Sequence, residues 1–83
     1  MANKYQITVD GRKCSTNLLL VLTYIELERV QYGYYKKSKI PTKEQCDKDT
    51  CELLVKYPSL PVPEAVCATY LRYVGRNVEI NKV

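Results

Sequence analysis

Hydrophobic and polar positions alternate at both ends of the chain and fall at helical spacing in between. In residues 4–9, Tyr5, Ile7 and Val9 share one face of a predicted strand. Asp10-Gly11 follows, a dipeptide that suits a tight hairpin because both turn positions tolerate positive φ. Arg12, Lys13 and Cys14 then either return as a short second strand or lead as a loop into the next helix. Residues 77–82 alternate again, and Val78 and Ile80 are expected to face the core.

The middle of the chain reads as three helices. Ser15, Thr16 and Asn17 are all good N-cap residues, and a helix is predicted over 16–32. Its first half is apolar nearly all round, which points to burial on several sides. A buried strand over 18–24 is the competing reading, since short apolar runs fit either element. Gly33 ends the helix, and 34–40 is a basic, aromatic connector stopped by Pro41. Thr42-Lys43-Glu44-Gln45 has the form of a capping box and predicts a helix over 43–57, with Cys46, Thr50, Leu53, Leu54 and Tyr57 on one face. Asp49 and Glu52 form a weaker box that would start a shorter helix. After the proline-rich stretch 58–63, a third helix is predicted over 63–74, carrying Val66, Cys67, Tyr70, Leu71 and Val74 on one stripe. Gly75 is its natural C-cap, and Arg72 and Arg76 lie near the negative end of its dipole.

The expected fold is therefore α+β: one domain over 1–83, with a small antiparallel or mixed sheet of two or three strands (4–9, 77–82 and optionally 12–15) packed on three helices. A chain of 83 residues buries roughly 60–65% of its unfolded surface. Composition changes the picture of the core. There is no Phe or Trp, and all eight aromatic residues are Tyr, each with a hydroxyl that needs water or a partner. The dry interior is then expected to come from Leu18, Leu19, Leu20, Val21, Leu22, Ile25, Leu27, Val30, Leu53, Leu54, Val66 and Leu71.

The chemistry available is narrow. The chain has no histidine, which removes the commonest general base and an imidazole metal ligand. Gly11, Gly33 and Gly75 make no phosphate-cradling pattern. Glu44, Asp47, Asp49 and Glu52 could supply acid–base chemistry or hold a hard cation, but their spacing is not that of a calcium loop. The sequence thus argues against an enzyme and implies no cofactor. Cys14, Cys46, Cys51 and Cys67 contain no Cys-x-x-Cys pair, so zinc and disulfides rank below small buried apolar side chains. The longest apolar run, 18–22, is too short to span a bilayer, and no signal-peptide core opens the sequence. The expected setting is cytoplasmic, with no membrane partner.

The formal net charge of +4 suits either an acidic protein surface or nucleic acid. The segment 31–39 concentrates Tyr32, Tyr34 and Tyr35 with Lys36, Lys37 and Lys39, and these six are the candidate contact residues. Tyrosine brings large contact area with few rotors. A protein partner is favoured, because Glu26, Glu28, Asp47, Asp49 and Glu52 intersperse acidic charge along the helices, and a homodimer belongs to the same class. The expected function is a non-catalytic inhibitor or adaptor. Small size without a cofactor motif suits a viral or phage accessory protein acting on a host factor. The alternative is a nucleic-acid binder using the same lysines with Arg72 and Arg76. A helix-turn-helix is a poor match for it, since the connector 58–63 is long and holds three prolines.

Overall fold

A computed structural model describes residues 5–35 and 40–83. Two layers form, a three-stranded antiparallel sheet and three helices, in the order β1 (Tyr5–Val9), β2 (Arg12–Cys14), α1 (Thr16–Gln31), α2 (Lys43–Lys56), α3 (Val62–Tyr73) and β3 (Val78–Lys82). The expected α+β architecture is what the chain adopts, and Arg12–Cys14 is a strand, not a loop.

The sheet order is β2-β1-β3, so the first strand is central. Asp10 and Gly11 take φ of 52° and 82°, the two positive angles a two-residue hairpin demands. Register places Ile7 opposite both Cys14 and Ile80, and Val9 opposite Val78. All five are buried and give the sheet its inner face, because side chains on a strand alternate with period two. Asp10 also ties the chain ends together. Its amide donates to the Asn77 carbonyl at 2.7 Å, and its Oδ1 accepts from the Asn77 amide at 3.0 Å.

α1 and α2 start where their capping side chains lie. The Ser15 hydroxyl accepts from the Leu18 amide, and Thr42 accepts from the Gln45 amide, each satisfying one orphan donor of a first turn. Pro61 leads into α3 without a side-chain cap; Pro63 lies in the first turn, where a missing N–H costs nothing. α3 packs against both α1 and α2 and is the most deeply buried helix. Ala65 and Ala68 are wholly buried, and their small side chains let the neighbouring helices approach.

The core departs from the expected set in one systematic way. Leu20, Val21, Ile25 and Leu27 of α1, and Val66 of α3, are exposed. The inward face of α1 carries Leu19 as expected, with Leu18 and Leu22 packed partly buried against the core, and adds Thr23 and Glu26. Thr23 is accommodated because its hydroxyl donates to the Leu19 carbonyl one turn back, at 2.8 Å. On α3, Glu64, Ala65 and Thr69 take the buried positions that Val66 leaves. The apolar run 18–22 spreads round all faces of a helix, so the order of apolar residues alone does not mark which face turns inward.

Candidate functional site

The C-terminal end of α1 is built around a buried carboxylate. Glu26 is 2% exposed. Its Oε1 lies 3.2 Å from Nη1 of Arg29, one turn along the same helix, and 3.5 Å from Nη1 of Arg76, beyond α3. Its Oε2 accepts from the Tyr35 hydroxyl. That bond, followed by burial, pushes the Tyr35 phenol above its ordinary range, because removing its proton would set two anions side by side. Arg76 Nε is also 2.8 Å from Asp10 Oδ2 in the hairpin turn. One carboxylate therefore fastens α1, the segment after it and the turn into β3.

The segment after α1 is shaped by Gly33. The Gly33 amide donates to Val30 and the Tyr34 amide to Arg29, the paired bonds of a Schellman ending. This requires the positive φ of 74° that Gly33 adopts. The chain folds back, and the Tyr34 ring settles 5.5 Å from the Arg29 guanidinium and edge-on to Tyr35, with centroids 5.1 Å apart. Tyr34 is thus held on two sides yet 72% exposed, and Tyr32 beside it is 84% exposed. Of the six candidate contact residues, these two present open rings. Tyr35 is half-buried with its hydroxyl spent on Glu26. Lys36, Lys37 and Lys39 lie outside the described residues.

A second feature escaped the sequence reading. The outward face of α1 carries Leu20, Val21, Tyr24, Ile25 and Leu27, 40–65% exposed. Asn17, Leu20, Tyr24, Leu27 and Gln31, all exposed, follow one another at steps of three and four, the spacing of a helix–helix seam. The signal was present in the order of residues, but a helix that is apolar on every side hides it. Glu26, expected on a patterned acidic surface, is on the opposite, buried side.

Elsewhere, an open cleft of about 520 Å³ runs between α2 and α3, lined by Asp49, Glu52, Thr69, Arg72 and Tyr73 among others. The Tyr73 hydroxyl donates to Asp49, and this bond raises its pKa to about 12. Arg72 donates through Nε and Nη2 to the Val78 carbonyl and so caps the outer edge of β3. All four cysteines are free: Cys14 and Cys67 buried, Cys46 half-buried and Cys51 exposed. Burial, with Asp47 and Asp49, pushes the Cys46 thiol up, which works against a reactive thiolate. Among the described residues no three metal-ligating side chains gather, and no helix is long and apolar enough to cross a membrane.

No protein-family model, curated protein or solved structure matches the chain.

Proposed function

We propose that this chain is a non-catalytic protein-binding domain, an inhibitor or adaptor that engages another protein through Tyr32 and Tyr34 at the end of α1. The observation that carries this reading is the state of Tyr34: fixed by Arg29 and Tyr35, yet largely open to solvent. An aromatic ring already held in place loses little freedom on binding, and such rings anchor protein interfaces. Lys36, Lys37 and Lys39 follow in sequence and favour a partner surface with acidic groups. Four free thiols suit a reducing compartment, which supports a cytoplasmic setting. The nucleic-acid alternative is weaker, since Arg72 and Arg76, on which it draws, are engaged by the Val78 carbonyl and by Asp10.

The test is a photo-crosslinking side chain introduced at Tyr32 in cells that naturally produce the protein. A discrete adduct with a second protein is expected, and Tyr34→Ala should abolish it while leaving the circular dichroism spectrum unchanged. An adduct indifferent to Tyr34→Ala, or no adduct at all, refutes the assignment.

A further inference from the structure

The outward face of α1 has no role in the contact just proposed, and its make-up is that of a buried seam. Five large apolar side chains stand on it, while Thr23 and Glu26 occupy the inward side of the same helix. We propose that this face packs against α1 of a second copy, antiparallel across a two-fold axis, with Leu20 of each copy beside Tyr24 of the other.

Two observations select this occupant and a third bounds its strength. First, the seam has heptad form: Asn17, Leu20, Tyr24, Leu27 and Gln31 recur at steps of three and four, all are exposed, and the three at the centre are large and apolar. That is the pattern of one helix laid along another, and a two-fold operation makes any such surface its own complement. Second, the charges choose the direction. Glu28, exposed on the flank of the seam, lies three helical turns from the first residue, Thr16. In the antiparallel register it reaches the partner's first turn, where the helix dipole is positive. That turn contains no acidic residue of its own, and exposed Arg12 and Lys13 come just before it in the chain. The buried Glu64 that accepts from Thr16 lies on the core side. A parallel pairing would instead bring the two Glu28 carboxylates together. Third, size limits strength. The helix has 16 residues, about 24 Å of length, so the seam covers less than the ~800 Å² per partner of a standard stable interface. A seam of that size is expected to associate weakly and reversibly, so association is sought between about 10 µM and 1 mM.

Sedimentation equilibrium on the purified protein across that range tests the idea. The wild type should shift from monomer to dimer, and Leu20→Asp with Tyr24→Asp should weaken association by about tenfold or more. Glu28→Gln should weaken it by roughly two- to fivefold per contact. A wild type that stays monomeric throughout, a double variant that associates as well as the wild type, or a Glu28→Gln variant that associates more tightly each overturns the proposal. A second measurement does not depend on the double variant folding. In a Cys51→Ser background, an oxidised mixture of Leu20→Cys and Tyr24→Cys chains should give the mixed disulfide in excess. Preferential 20–20 and 24–24 linkage, as a parallel pair would give, refutes it. Neither experiment bears on the Tyr32 crosslink, so the two proposals stand or fall separately.

Discussion

Glu26 and Asp49 show what single carboxylates do in a protein whose aromatic residues are all tyrosines. Each accepts a hydrogen bond from a phenol brought to it by the fold, Tyr35 to Glu26 and Tyr73 to Asp49. The hydroxyl that makes tyrosine awkward beside a dry core thereby becomes a tether between elements. The two sites differ in cost. Glu26 is buried and relies on Arg29 and Arg76, themselves 44% and 31% exposed, so water shares in stabilising its charge. The Asp49 bond lies in an open cleft and leaves a pH signature. The Tyr73 pKa rises from 10.0 to about 12 on folding, so the folded state holds the phenol proton more tightly than the unfolded chain. Its contribution to stability is complete below pH 10 and fades as pH climbs towards 12. Tyr73→Phe should accordingly lower the urea midpoint at pH 8. The gap from wild type should narrow steadily between pH 10 and 12; a gap that stays constant over that interval would show that the bond is not what the substitution removed.

At the scale of elements, the same device ends α1 and α3. Gly75 takes a φ of 95°, its amide donates to Arg72 and the Arg76 amide to Leu71, repeating the arrangement at Gly33. In both places the reversal returns the next side chain to the structure: Tyr34 to Arg29, and Arg76 to Glu26 and Asp10. A Cβ at Gly75 would meet nothing within 4 Å, so the penalty for adding one is purely conformational. Gly75→Ala should destabilise the protein by about 1–2 kcal/mol, measured by chemical unfolding with an unchanged m-value. Elements of this kind are legible in sequence. The hairpin at Asp10-Gly11, the caps at Ser15 and Thr42, and the stops at Gly33 and Gly75 are local, because each signal and its hydrogen-bond partner lie within a few residues. The predicted boundaries consequently match the observed ones to within a residue or two.

At the scale of the whole molecule, local signals no longer suffice. The inward side of α1 combines Leu19 with Glu26, whose partners stand 3, 9 and 50 residues away. The separation of Tyr34 from Tyr35, one open and one tethered, depends on the same long-range cluster. Composition suggested that the tyrosines after α1 would matter, but not which rings would be presented, and the seam on α1 was lost among core leucines. The orientation of α1 has a sharp consequence at two neighbouring positions. Leu19 is 1% exposed and Leu20 47%, so lysine is nearly neutral for helix propensity at both but very different in solvation. Leu19→Lys buries a charge with no partner and should cost about 3–5 kcal/mol or prevent folding. Leu20→Lys should stay within about 0.5 kcal/mol of wild type when unfolding is measured at low micromolar protein, where the monomer prevails. Equal losses at the two sites would mean that α1 is rotated about its axis relative to the arrangement described, and that Glu26 faces solvent. At protein concentrations near 1 mM the second comparison should change. The wild type then gains stability from self-association while Leu20→Lys does not, so the same pair of variants reads the inward face of the helix at one concentration and its outward face at the other.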